Sequence, residues 1–287
     1  MTYQFLKQQG TKNIPLVEAM HQYGKSGDPF QFTVMSRAKG VPLQSVWHGL
    51  SSEERKGYAE QVTAALRELR KFTSPVPRRV DGSPLWDNII GRCYVSKKCQ
   101  NIKNTTEEWL GSIDEELRFG IARSYRTLDK DFIEAKLKEL KADFPDGAPY
   151  VLTHGDLHFE NIIVNNGKIE AIIDWETAGY YPWWFERFAS LNRVYSSGAG
   201  ELFGTVWAEL DPDHDPKQFK DKVSNHVRPL ESAYYFCLLE HTEDLDVWRR
   251  PAFCECKPYG GVIYRRDWDA ELEHKIDYKG EKQKIIL

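Results

Sequence analysis

The sequence predicts an α+β fold in which strands gather near the start of the chain and helices surround one later β-hairpin. Two short apolar runs, Ile162 to Val164 and Ile169 to Ile173, are joined by Asn165-Asn166-Gly167-Lys168. An Asn-Gly turn between β-branched runs is a strong hairpin signal. Phe30 to Met35 predicts an earlier strand, and most of the remaining pattern is helical.

The first long helix is predicted to begin at Ser51, because Ser51 and Glu54 have the spacing of a capping box. Apolar residues then recur every three or four positions and give one apolar face, at Tyr58, Val62, Ala65, Leu66, Leu69 and Phe72. A short helix before it is predicted over residues 2 to 9, with Gly10 as its C-cap. Later helices are predicted over Glu107–Ile121, Asp131–Leu140, the segment that ends at Leu191, Leu202–Leu210 and Val227–His241.

Composition excludes several classes of protein. The 287 residues include 39 basic and 43 acidic side chains, a net charge of -4, which argues against nucleic acid as a partner. No apolar run has the length of a membrane span, and residues 1 to 10 lack the pattern of a signal peptide. Five cysteines are simplest to interpret as reduced thiols. We therefore expect a cytoplasmic protein without a membrane partner; oligomeric state stays open.

Gly24-Lys25-Ser26-Gly27 resembles the end of a phosphate-binding P-loop. That motif requires a glycine five positions before Gly24, where this chain has Ala19. A polar turn between two strands is the favoured interpretation.

Three polar residues flank the predicted hairpin. Asn161 enters its first strand, Asp174 leaves its second strand, and Asp156 lies on the loop just before. Folding the hairpin places Asn161 and Asp174 at its open end, on adjacent strands about 5 Å apart. Two carboxylates and an amide can together provide a base and hard oxygen ligands for a divalent cation.

His-x-Asp-x-x-x-x-Asn followed by a hairpin and Asp is the arrangement of kinase catalytic and metal loops. The residues are His154-Gly155-Asp156-Leu157-His158-x-x-Asn161 and Ile172-Ile173-Asp174-Trp175-Glu176-x-Ala178-Gly179. They resemble the aminoglycoside phosphotransferase and choline-kinase-like family over residues 1 to about 245. The resemblance implies a protein-kinase-like fold, mainly the helical C-terminal lobe. It assigns residues 1–39 to a truncated N-terminal lobe and residues 40–287 to the C-terminal lobe.

The resemblance also implies ATP with Mg²⁺ as cofactors and phosphorylation of a small-molecule hydroxyl or amine. Asp156 would be the catalytic base, and Asn161 and Asp174 would be magnesium ligands. The segment from Phe32 to Leu43 resembles the last N-lobe strand and the hinge, whose backbone would meet adenine at Met35, Ser36 and Arg37. His158 and Glu176 are candidates for loop support or substrate contact, whereas His154 and Glu186 are interpreted as structural.

A working kinase also needs a Gly-rich loop, a strand lysine and a helix glutamate that orients this lysine. No lysine among the first 40 residues lies in a strand pattern typical of that role, and we expect the chain to begin just after these residues. The sequence leaves open a pseudokinase that binds or scaffolds, and an incomplete gene model. A third alternative is an iron oxygenase that uses His154, Asp156 and a distal histidine such as His226. The acceptor is not indicated.

Overall fold

A computed structural model describes residues 1–24, 30, 32–87, 102–125, 127, 129–192 and 198–227 of the chain. Contacts divide the chain into two compact units. The first comprises Met1–Leu85 and Asp146–Lys220, and the second comprises Trp86–Pro145 and Asp221–Leu287. These units are defined by contacts within the chain and not as kinase lobes, so they do not test the lobe boundary expected after residue 39. That boundary stays a prediction.

The described strands form three small antiparallel sheets, all in the first unit. β1 and β2 make a hairpin; β3, β6 and β7 form a second sheet in that order; and β4, β5 and β8 form the third. The bounds are Met20–Tyr23 (β1), Phe32–Met35 (β2), Val41–Pro42 (β3), Thr73–Ser74 (β4), Tyr150–Thr153 (β5), Ile162–Asn165 (β6), Lys168–Ile172 (β7) and Gly179–Pro182 (β8).

The predicted hairpin is confirmed as β6 and β7, which pair with Ile162 opposite Ile172. Asn166 and Gly167 form its turn with φ of 48° and 78°. Positive φ at both central residues is the geometry of a type I′ turn, which follows the natural twist of paired strands. The backbone N–H of Ile172 also donates to the carbonyl of Pro15 at 2.8 Å. Pro15 therefore lies at the edge of β7.

The helices occur in both units. Their bounds are Thr2–Gln8 (α1), Leu43–Val46 (α2), Ser52–Leu69 (α3), Thr106–Ser112 (α4), Asp114–Tyr125 (α5), Lys130–Asp143 (α6), Phe185–Asn192 (α7), Ala199–Leu210 (α8) and Pro216–Phe219 (α9). Short 3₁₀ turns cover Trp47–Gly49, Phe159–Asn161 and Trp175–Thr177, and a π-helical turn covers Lys220–Ser224. None of these described helices combines the length and the apolar character needed to cross a membrane.

The core of the first unit is built on α3. The Ser51 hydroxyl accepts from Glu54 N, and the Glu54 carboxylate accepts from Ser51 N at 2.8 Å, so the predicted capping box is present. One face of α3 is buried against α8, β5 and β7. β5 is buried along its whole length, so the loop that follows Thr153 starts from a fixed point.

The helical pattern predicted over Glu107–Ile121 is present, but it is interrupted once. The structure has two helices, α4 and α5, separated at Ile113, whose φ of -123° and ψ of 22° depart from helical values. The apolar spacing continues across the break, because Trp109, Leu110, Ile113 and Leu117 are all buried.

The polar contacts in the described part of the second unit include one buried hydrogen bond and ion pairs on the surface. Trp109 Nε1 donates to Asp87 Oδ2 at 2.6 Å, and both residues are buried. Arg118 pairs with Glu134 across α5 and α6. Exposed pairs of this kind add little stability.

Some predictions fall outside the described residues. These are the residues of the Gly24–Gly27 turn after Gly24, and all of the helix predicted over Val227–His241 except Val227. No cysteine is among the described residues.

Candidate active site

The loop after β5 makes a sharp turn before Asp156. Gly155 has a φ of 84°, a left-handed conformation that favours glycine. A Cβ atom there would lie 2.9 Å from the carbonyl oxygen of Thr177. Thr177 Oγ1 in turn donates to the carbonyl of His154 at 3.0 Å. The turn before Asp156 therefore lies directly against the segment that follows Asp174.

The base of the hairpin places Asn161 beside the end of β7, as the sequence predicted. The N–H of Ile173 donates to the carbonyl of Asn161 at 3.0 Å. Asp174 follows at once, with φ of 65° and ψ of 57°, and its side chain is exposed. A non-glycine residue in this left-handed region is uncommon and has a conformational cost. The chain therefore turns sharply at Asp174, the second of the two candidate carboxylates.

Asn161 connects the hairpin to the loop of Asp156. Its side chain is buried, and Nδ2 donates to the carbonyl of Asp156 at 2.9 Å. This bond fixes the amide and leaves Oδ1 as the atom that a cation could use.

His158 lies between Asp156 and Asn161. Its Nε2 is 3.8 Å from Asp156 Oδ2 and 3.2 Å from Asn161 Nδ2, and its Nδ1 accepts from the N–H of Glu160 at 3.3 Å. These contacts lie within the loop, and the role expected for His158, loop support or substrate contact, stays a prediction.

His154 is a buried structural histidine, as the sequence favoured. Its Nε2 bonds to the carbonyl of Ile173 at 2.8 Å, and its Nδ1 accepts from Asp156 N at 3.3 Å. Burial lowers the pKa of His154 to about 4, against smaller raising effects from the Ile173 carbonyl and the Asp156 carboxylate. The imidazole is therefore neutral near pH 7, with the proton on Nε2.

Glu186, near the start of α7, binds the backbone of the same loop. Its Oε2 accepts from His154 N at 2.6 Å and from Gly155 N at 3.2 Å. Burial raises the pKa of Glu186 to about 7, opposed by the backbone N–H groups that bond to it, and the Asp156 carboxylate raises it further.

Glu176 is exposed, and its backbone carbonyl accepts from Arg79 Nη2 at 2.5 Å. The structure therefore assigns a loop-anchoring contact to the Glu176 backbone, while its carboxylate role stays a prediction.

The three candidate adenine contacts lie where β2 ends. Met35 pairs with Met20 of β1, and Met35 and Arg37 are exposed. Ser36 N donates to the carbonyl of Ala19 at 2.9 Å, and Ser36 Oγ accepts from Ala19 N at 2.8 Å. Since the Ser36 N–H is already bonded, a backbone N–H contact to adenine here would come from a neighbouring residue.

The donor set fits magnesium better than iron. Among the described residues, no group of three or more His, Cys, Asp and Glu side chains is arranged to hold a metal ion by itself. Asn161 and Asp174 offer hard oxygens, and Mg²⁺ usually completes its shell with phosphate oxygens and water. Both ring nitrogens of His154 are bonded to the backbone, so His154 is not available to the iron triad considered above.

The sequence did not predict the hydrogen bonds that Glu186, Thr177 and Arg79 make to the site. Each joins segments more than twenty residues apart. No local pattern marks such contacts. The available sequence signal was Glu186, an acidic residue among the apolar residues of α7.

Comparison with known proteins gives a family and a fold. The model of the phosphotransferase enzyme family, APH, matches residues 2–218. A solved structure of a thermostable mutant of aminoglycoside phosphotransferase APH(4)-Ia, apo form, is 16% identical, with a TM-score of 0.50; the match covers 85% of this chain and 78% of that one. A ternary complex of a mutant of the same protein with AMP-PNP and hygromycin B is 16% identical, with a TM-score of 0.51, covering 86% and 77%. No curated protein matches this chain.

Proposed function

Because the chain belongs to the phosphotransferase enzyme family and has its protein-kinase-like fold, as the sequence predicted, we propose that it transfers the γ-phosphoryl group of ATP to a small-molecule hydroxyl or amine. The observation that carries this proposal is the contact between the loop that contains Asp156 and the base of the β6–β7 hairpin. Asn161 bonds to the Asp156 backbone through Nδ2 and to Ile173, beside Asp174, through its carbonyl.

Asp156 is the base in this proposal. Its carboxylate would orient the acceptor hydroxyl or amine and take its proton as phosphoryl transfer proceeds. The side chain is partly exposed, so an acceptor can reach it. Its backbone is fixed by bonds to His154 Nδ1 and Asn161 Nδ2, which limits the movement of the carboxylate.

Asn161 Oδ1 and the Asp174 carboxylate would hold Mg²⁺. When bound, the ion would neutralise charge on the phosphates. The APH(4)-Ia structures include complexes with ADP or AMP-PNP together with hygromycin B, which supports a nucleotide and a small acceptor as ligands here. Met35, Ser36 and Arg37 remain our candidates for the adenine side.

A turnover assay tests the proposal. Purified protein with Mg-ATP should release ADP when a panel of small alcohols and amines contains an acceptor. Asp156→Asn should lower this turnover by about 10²- to 10⁴-fold, the usual contribution of general base catalysis. Asp215→Asn is the control, since Asp215 caps α9 and Asn caps equally well. Equal turnover in wild type and Asp156→Asn would contradict the proposal.

A second candidate function is a binding or scaffold module. The observation that favours it is that neither of the two described N-terminal strands, β1 and β2, contains a lysine. Kinases place such a lysine on the α- and β-phosphates. Nucleotide binding that needs Asp174 would contradict a nucleotide-blind scaffold.

A further inference from the structure

The short turn that carries Asn161 has one apolar side chain, and this side chain enters the core of the first unit. Phe159 begins the 3₁₀ turn Phe159–Asn161 and is 2% exposed, whereas Glu160 is exposed. The ring centroid of Phe159 lies 4.9 Å from that of Trp47 and 6.4 Å from that of Phe203. Both separations are typical of aromatic side chains in contact. The turn therefore rests on two aromatic rings of the core.

These two rings come from different parts of the first unit. Trp47 lies on the 3₁₀ turn after α2, in the segment that follows the candidate adenine contacts and the β3 strand. Phe203 lies on α8, which packs against α3. Through Phe159, the turn that carries Asn161 is thus packed against both the post-β3 segment and the helical core.

The Trp47 ring is itself held in place. It is 2% exposed, and a Cβ atom at Gly198 would lie 2.1 Å from it, so α8 begins directly against the ring. The Arg55 guanidinium lies 5.4 Å from the ring centroid and pairs with Glu201 of α8 at 3.0 Å. Because interiors are closely packed, a ring enclosed in this way has little room to move aside.

The hydrogen bonds of Asn161 shape the loop and join it to the hairpin. Its N–H donates to the carbonyl of His158 at 3.0 Å, and its own carbonyl accepts from Ile173 N at 3.0 Å. Leu157 belongs to the same apolar core on the Asp156 side of the loop. Phe159 is the apolar contact with the core on the Asn161 side.

We propose that Phe159 is a positioning residue for Asn161. Packed against Trp47 and Phe203, its ring fixes the 3₁₀ turn, and the turn in turn fixes Asn161 Oδ1 as a Mg²⁺ ligand. The proposal rests on the phosphotransfer function given above, since Asn161 is a ligand in that reaction. Phe159 acts through the backbone of the turn and is not itself a catalytic residue.

Hydrogen exchange tests the fixing of the turn without nucleotide. The measured quantity is the protection of the Asn161 amide relative to the Leu152 amide, which bonds to the carbonyl of Phe72 at 2.9 Å. In Phe159→Ala this ratio should fall by about tenfold or more, because the cavity removes the support of the turn. If Phe159 only adds to overall stability, both amides lose protection together and the ratio stays constant.

Two further variants complete the exchange experiment. Phe159→Leu keeps the site apolar but removes the ring, so it serves if the Ala variant does not fold, and a fall of about threefold is expected. Phe219→Leu is the matched control, because Phe219 is also 2% exposed but packs under the Arg187 guanidinium on α9. There the ratio should not change. An unchanged ratio in Phe159→Leu would overturn the proposal.

Nucleotide binding tests the consequence for the metal ligand. The measured quantity is the ratio of the Kd for AMP-PNP without Mg²⁺ to the Kd with Mg²⁺, at a temperature where each variant is folded. Phe159→Leu should lower this ratio by about threefold or more, since a ligand that is slightly misplaced holds the ion less well. Phe219→Leu should leave it unchanged. A wild-type ratio in Phe159→Leu would overturn the positioning of Asn161.

The two proposals fail separately. If wild type binds no nucleotide, the phosphotransfer proposal fails, and the exchange ratio still decides whether Phe159 fixes the turn. If wild type binds AMP-PNP more tightly with Mg²⁺ and Phe159→Leu behaves as wild type in both measurements, only the role of Phe159 fails.

Discussion

The ring of His154 bonds to the backbone of Ile173, with 2.8 Å between Nε2 and the carbonyl oxygen. The other ring nitrogen accepts from the N–H of Asp156. One neutral imidazole therefore joins the residue that would act as base to the residue just before Asp174. This buried side chain is one of the contacts that set the relative position of the two carboxylates.

Replacing His154 with Phe should weaken the fold through these two bonds. A phenyl ring fills similar space beside Trp175 but leaves Ile173 O and Asp156 N without their partner. The free energy of unfolding should fall by about 1–3 kcal/mol, the range for stranding buried polar groups. His21→Phe on the exposed strand β1 is the control, where about 0.5 kcal/mol or less is expected. Denaturant titration measures both, and equal losses would contradict the assigned role of His154.

His154 and Glu186 should give pH dependences of opposite sign. Between pH 4 and 6.5 the unfolded chain binds a proton that native His154 does not, so His154 makes the fold more stable as pH rises. Between pH 4.5 and 7 native Glu186 keeps a proton that the unfolded chain has lost, so Glu186 makes the fold less stable as pH rises. Each effect is about 3 kcal/mol over its window. In their shared window the two contributions largely cancel.

Glu186→Gln should reveal the contribution of His154. In this variant, the free energy of unfolding should climb with pH between 4.5 and 6.5 more steeply than in wild type. Urea titrations at several pH values in this range measure the slope. Parallel curves for the two proteins would show that Glu186 does not keep its proton in the native state.

Gly155→Ala should destabilise the protein, because φ is 84° and the new Cβ would lie 2.9 Å from Thr177 O. We expect a loss of about 1–3 kcal/mol. Gly57→Ala on α3 is the matched control, since a Cβ there meets nothing within 4 Å. Alanine should stabilise that helix by about 0.5–1 kcal/mol. Thermal unfolding of both variants checks the difference, and a neutral Gly155→Ala would mean that this turn is not under the constraint described.

Local patterns predicted the elements that carry the candidate ligands. The Asn166-Gly167 turn set the hairpin, and the bond from Ile173 N to Asn161 O follows from its register. The break at Ile113 was missed because the apolar spacing passes through it without interruption. Periodicity reports which face is buried and not whether the backbone bends.

Hydrogen bonds between segments that are far apart in the chain could not be predicted from local sequence patterns. Glu186 meets His154 across 32 positions because α7 returns to the end of β5. The resemblance marked Glu186 as structural but did not say what it holds. The position of Glu186 in the sequence does not indicate that its carboxylate accepts hydrogen bonds from the backbone amides of His154 and Gly155.

Nucleotide binding tests the central claim most directly, because it does not require the acceptor to be known. Calorimetric titration with AMP-PNP should show binding at least about tenfold tighter with Mg²⁺ than without it in wild type. That dependence on Mg²⁺ should disappear in Asp174→Ala and persist in Asp215→Asn. Absence of nucleotide binding in wild type, or an unchanged Mg²⁺ dependence in Asp174→Ala, would contradict the assignment of this cluster as a phosphotransfer site.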